Sequence, residues 1–118
     1  KLDIEGSEYS IIDRINQNSS KIKILLIEFH FIKIKKNLFI SSVKKLLKNF
    51  NIVHIPANNY FELKKEDNFF EVLEVTFVNK KINKFKKHFR YNFPLKGHDF
   101  ECFPDRKKIK FSFKIKRK

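Results

Sequence analysis

The 118 residues suffice for one domain at most, and with 42% of them hydrophobic the chain can bury one modest core. Two Gly and three Pro exclude a fibrous or linker-like class; no apolar run approaches the roughly 18 residues of a membrane span. The net charge is +14, so nucleic acid is the first partner to weigh.

Leu2-Asp3-Ile4 has the pattern of a strand end. The segment from Lys1 has neither an initiator Met nor a signal-peptide pattern. It looks like a strand entered halfway, so further chain is expected upstream. After Gly6, residues Tyr9, Ile12 and Ile15 recur at helical spacing, and Glu5 and Glu8 suit the positive end of that helix. Gln17-Asn18-Ser19-Ser20 is a polar stop. Ile24 to Phe29 is an apolar run without alternation, which predicts a strand buried on both faces between helices. From Asn37 to Phe50, residues Phe39, Val43, Leu46, Leu47 and Phe50 share one helical face, with Lys44, Lys45 and Lys48 opposite.

Ile52 to Ile55 predicts a short strand stopped by Pro56, and residues 57–69 a polar connection. Val72 to Val78 predicts another strand, forming with the one before it an antiparallel edge hairpin. In the tail, Ile109, Phe111, Phe113 and Ile115 alternate with polar residues, as in a half-exposed strand. Strands joined by helices predict an α/β fold with a parallel sheet and right-handed crossovers. A boundary near residue 105 divides the domain, 1–105, from a basic tail, 106–118.

The single Cys, Cys102, excludes an internal disulfide and a paired-thiol zinc site. It fits a reducing, cytoplasmic setting. Of the 27 basic residues 23 are Lys, whereas base readout and bidentate phosphate contacts favour Arg. Lys, Ile, Phe and Asn together fill 64 of the 118 positions, the bias of an AT-rich coding sequence. No specific nucleic-acid partner is expected. Residues 80–118 nevertheless carry a net +12, which suits weak contact with an anionic surface or simply a solvated tail.

Ligands of open α/β sheets bind beyond the carboxyl ends of the parallel strands. Asp3 and Glu5 leave the first strand there, Glu28 and His30 the second, and His54, Asn58 and Asn59 the third. Each has a plainer reading. Asp3 and Glu5 suit a helix cap, His30 a surface position, and Asn58-Asn59 a turn. Their convergence on one rim favours a site.

Five segments then resemble the FkbM family of S-adenosylmethionine (SAM) methyltransferases. Lys1-Leu2-Asp3-Ile4-Glu5-Gly6-Ser7-Glu8 is similar to that family's Lys-x-Asp-(Ile/Val)-Glu-Gly-x-Glu motif after the fourth strand. Ile27 to His30 is similar to its fifth-strand ending. Val53 to Tyr60 resembles its His-x-His-x-Asn-Asn-Tyr segment, with Pro56 in place of the second His. Val72 to Phe77 looks like the final strand, and Phe93 to Asp99 the Pro-Leu-x-x-x-Asp stretch. The resemblance implies a partial class I methyltransferase (Rossmann-like) sheet, strands four to seven, with the last strand antiparallel beside the fifth. It implies SAM as methyl donor and a hydroxyl acceptor on a sugar, glycan or similar small molecule. The first three strands and the glycine-rich loop are absent, so no SAM-binding residue is assigned.

On this reading Asp3 and His30 are candidate bases, with Glu5 orienting one of them or holding substrate. His54, Asn58 and Asn59 are candidates for gripping acceptor hydroxyls. By ligand type Asp3, Glu5 and His30 also suit a metal, but O-methyl transfer needs none, and none is expected. A basic binding module and a non-catalytic remnant are the alternatives. A glycine-rich half encoded upstream argues for the enzyme, salt-resistant sequence-selective binding for the module, and an immediate start codon for the remnant.

Overall fold

The β-branched and aromatic residues that favour a pleated, half-buried surface concentrate in three segments, and these form the sheet. They are β1 (Ile24–Phe29), β2 (Phe50–His54) and β3 (Leu73–Asn79). The computed structural model describes residues 1–56, 70–82, 91–93, 96–97, 99–100, 102–106 and 111–113. The strand order is β1-β3-β2, with β3 antiparallel to both neighbours. β1 and β2 therefore run in the same direction. Leu2 adds a parallel bridge to Ile27 on the free edge of β1, through Leu2 N–H to Leu26 C=O at 2.8 Å and Glu28 N–H to Leu2 C=O at 2.9 Å.

The helical segments are shorter than the periodicity predicts. A 3-10 turn at Glu8–Ile11 leads into α1 (Ile12–Gln17), and a second 3-10 turn covers Ser19–Lys21. The second helix, α2, spans Lys36–Leu46 rather than continuing to residue 50. Its last turn tightens through Lys48 N–H to Lys45 C=O and Asn49 N–H to Leu46 C=O, and Phe50 opens β2 instead. Phe50 satisfies a helical and a strand pattern alike, and tertiary packing decides between them.

The expectation of a strand buried on both faces is corrected. Leu25, Ile27 and Phe29 are buried, whereas Ile24 is exposed and Leu26 and Glu28 are half-buried. β3 alternates in the same way, with Leu73, Val75 and Phe77 buried. One core joins this face of the sheet to Tyr9, Ile12, Ile15, Ile32 and Leu46, with Phe39 and Val43 of α2 packed against it. The residues paired across the other face, Leu26, Glu28, Glu74 and Thr76, remain half-buried. A continuous apolar run specifies a buried strand but not the number of covered faces.

The edge hairpin is corrected too. β2 and β3 do pair antiparallel, but β3 lies between β1 and β2. Near the carboxyl terminus β4 (Tyr91–Phe93) and β5 (Phe111–Phe113) form a separate antiparallel pair. A strand of the expected basic tail is thereby paired with a segment preceding residue 105. No helix among the described residues is long and apolar enough to cross a membrane.

Candidate functional site

The turn that follows Leu2 builds the first half of the site. Ser7 N–H donates to Ile4 C=O at 3.1 Å. Between them Glu5 and Gly6 both have positive φ, 52° and 97°, as a type I′ turn requires. Gly6 is needed there for a second reason. A Cβ would stand 2.7 Å from the Phe31 ring. Phe31 itself adopts φ 55° directly after His30. Lys35 clips the two turns together, its Nζ donating to Gly6 C=O at 3.0 Å while lying over the Tyr9 and Phe31 rings.

His30 stands at the centre, only 7% exposed. Its Nδ1 lies 2.6 Å from Oε1 of Glu8, which is fully buried and also accepts the Gly6 N–H at 3.0 Å. Burial opposes the Glu8 charge. The backbone N–H groups of Gly6 and Glu8 and the contact with His30 outweigh it and hold the carboxyl below its ordinary range. An ionised carboxylate only accepts, so Nδ1 is the donor. That fixes the tautomer and leaves Nε2 of a neutral ring with its lone pair. Tyr9 braces the same residue from behind, its hydroxyl donating to His30 C=O at 2.7 Å. Burial first, then the Glu8 and Glu71 charges, raise the Tyr9 phenol well above its usual range.

Nε2 points into three further carboxylates. Glu5 Oε2 lies at 3.6 Å, and Asp3 Oδ1 and Glu28 Oε1 each at 3.8 Å. None is within hydrogen-bond distance, and among the described residues Nε2 has no hydrogen-bond partner. Burial, followed by the Asp3 charge, raises the Glu28 carboxyl above its ordinary value, with His30 and Lys1 opposing. Lys1 spans the cluster, 3.9 Å from Asp3 and 3.8 Å from Glu74.

The structure thus brings Asp3, Glu5 and His30 together, their ligand atoms all within 4.8 Å of one another. It does not bring His54 to them. The backbones of His54 and Phe29 are separated by two strand spacings and three residues along the strands, on the order of 14 Å. His54 has another partner, with Nε2 2.7 Å from Oδ1 of the buried Asp99 carboxylate. A bulge between Ile52 and His54 explains its direction. Ile52 and Ile55 both pack into the core, and the extra residue turns His54 to the face that carries Thr76. Asn58 and Asn59 lie outside the described residues.

Two members of these constellations escape the sequence reading. Glu8 appears there only as an acid at a helix start, although it closes the Lys-x-Asp-x-Glu-Gly-x-Glu pattern and packs on His30. Asp99 closes the Pro-Leu-x-x-x-Asp stretch without being assigned a role. In each case the motif's last position carries the signal. Compared with known families, curated proteins and solved structures, the chain matches none.

Proposed function

We propose that the chain is the acceptor-side part of a SAM-dependent O-methyltransferase acting on a hydroxyl of a sugar, glycan or similar small molecule. The observation that carries this reading is the strand arrangement. Leu2, β1 and β2 run in one direction, and the antiparallel β3 stands beside β1. That is the order implied by the FkbM resemblance for a class I methyltransferase sheet, and it sends Asp3, Glu5 and His30 out of the sheet at one end.

The chemistry required of these residues is alignment and proton removal. The Nε2 of His30 takes the proton of the acceptor hydroxyl as its oxygen is alkylated. Glu8 holds the ring and stabilises the imidazolium that results, in the manner of a carboxylate–imidazole dyad. Such a base contributes ~10²–10⁴ in rate, and alignment contributes more. Asp3 and Glu5 accept hydrogen bonds from neighbouring acceptor hydroxyls, and His54, oriented by Asp99, supplies a more distant contact. On this reading no residue of the chain is assigned to SAM. Holding the donor belongs to a glycine-rich half that these 118 residues do not supply.

Equilibrium dialysis with labelled SAM tests the division of labour. The 118-residue chain alone binds none, and the product of the complete coding sequence binds one equivalent. Micromolar binding by the 118 residues alone, or none by the complete product, contradicts the reading.

A further inference from the structure

The cluster around His30 has a property that proton abstraction does not require. Nε2 belongs to a ring more than nine-tenths buried, has no hydrogen-bond partner among the described residues, and faces the carboxylates of Asp3 and Glu5 at 3.8 and 3.6 Å. Glu8 fixes the opposite nitrogen as a donor at 2.6 Å. A ring whose one N–H is held by a carboxylate and whose other nitrogen is aimed at acids is the usual setting of a metal-bound imidazole.

We propose that Asp3, Glu5 and His30 bind one divalent transition-metal ion, with Glu8 orienting the imidazole. Metal–ligand bonds of about 2.0–2.2 Å place adjacent ligand atoms roughly 3.0–3.5 Å apart. The observed 3.6 and 3.8 Å need a closure of a few tenths of an ångström, and the widest separation in the group, within 4.8 Å, needs up to about 2 Å. The Asp3 and Glu5 side chains, 40% and 82% exposed, move to provide it, Asp3 giving up its 3.9 Å ion pair with Lys1, while His30 stays fixed. Two carboxylates with one imidazole suit Mn²⁺ or Zn²⁺; Mg²⁺ and Ca²⁺ prefer all-oxygen shells. The net charge of +14 lowers the background of non-specific cation binding, so a cation held by this chain reports on a local site. The positive φ of Glu5 also acquires a purpose, because the I′ turn carries its carboxylate back over the ring. The ion takes the same Nε2 lone pair that would accept the hydroxyl proton, so metal binding and proton abstraction by His30 exclude one another, and the site is testable without methyl transfer.

Mn²⁺ titration followed by electron paramagnetic resonance, on the 118-residue chain, decides the matter. The expected result is one saturable ion per chain, with pulsed spectra showing ¹⁴N coupling from the His30 ring. Asp3→Asn and Glu5→Gln, exposed positions that leave the circular dichroism unchanged, each weaken binding at least about tenfold. Glu8→Gln weakens it about 10–100-fold through the ring it orients. A roughly hundredfold excess of Mg²⁺ does not displace the ion. The absence of a saturable site, unchanged binding in both Asp3→Asn and Glu5→Gln, bound Mn²⁺ without ¹⁴N coupling, or displacement by Mg²⁺ each overturns the proposal.

Discussion

Glu5 pays a conformational penalty for its place over His30. A non-glycine residue at φ 52° sits in a sparsely populated region that costs about 1–3 kcal/mol. Glu5→Gly therefore stabilises the metal-free chain by about 0.5–1 kcal/mol after glycine's own entropy is counted. The same change removes the carboxylate from the cluster. Urea unfolding measures the gain, and a loss of stability shows that Glu5 is not strained. Glu8 gives a pH signature. Its folded value is depressed below 4.5, so its contribution is fully present above that value and is lost as pH falls through the lower one. Unfolding in a chelator shows wild type losing stability below about pH 4.5, with Glu8→Gln losing less over the same range. Parallel curves show that Glu8 is not the group responsible. The convergence of Asp3, Glu5 and His30 was legible in the sequence because strand ends and topology bring them to one rim. Glu8 was not, because its burial against His30 depends on how the Glu8–Ile11 turn docks on β1, and spacing alone does not report docking.

The interior elements are pinned by Asn79, at the end of β3. It is 5% exposed, and its side-chain amide donates to Ser19 C=O at 2.8 Å and Ile22 C=O at 3.0 Å, while its oxygen accepts Lys81 N–H at 2.9 Å. Removing it takes a donor from two part-buried carbonyls; Ser19 C=O keeps the Ile22 N–H at 3.1 Å, and the loss at Ile22 C=O costs about 1–3 kcal/mol. Asn79→Ala thus lowers the thermal midpoint and exposes the Ser19–Lys21 turn to hydrogen exchange first; unaltered exchange there contradicts the staple. At this scale the β1 bounds were legible, since Ile24 to Phe29 offers no competing period. The end of α2 was not, because Phe50 continues the apolar face of a helix as well as it starts a strand. One-sided burial was hidden for a related reason. The run Ile24 to Ile27 is apolar at every position, so it does not mark which face meets the helices.

For the whole molecule the question is what a charge of +14 does. The lysine-dominated surface predicts nucleic-acid binding that is weak, indifferent to sequence and steeply lost with salt as counterions are released. Fluorescence anisotropy with two unrelated oligonucleotides across a salt series checks this. A preference for one oligonucleotide that survives moderate salt promotes a nucleic-acid role over the enzymatic one. The α/β class was legible at this scale from the alternation of strands and helices, but the expected parallel sheet is corrected: both pairs of the three-stranded sheet are antiparallel, because β3 inserts between β1 and β2. The placement of β3 between β1 and β2 was not legible from the chain order, since adjacency in sequence predicts a hairpin at the edge.

The central claim is that His30, held by Glu8, serves the acceptor hydroxyl in a methyl transfer. It is tested most directly by transfer of labelled methyl from SAM to glycan hydroxyls, using the product of the complete coding sequence and its His30→Gln variant. The account predicts that the variant binds SAM as the parent does but transfers roughly 10²–10⁴-fold more slowly. Transfer by His30→Gln at the parental rate, or no methyl transfer by the wild type, contradicts the account.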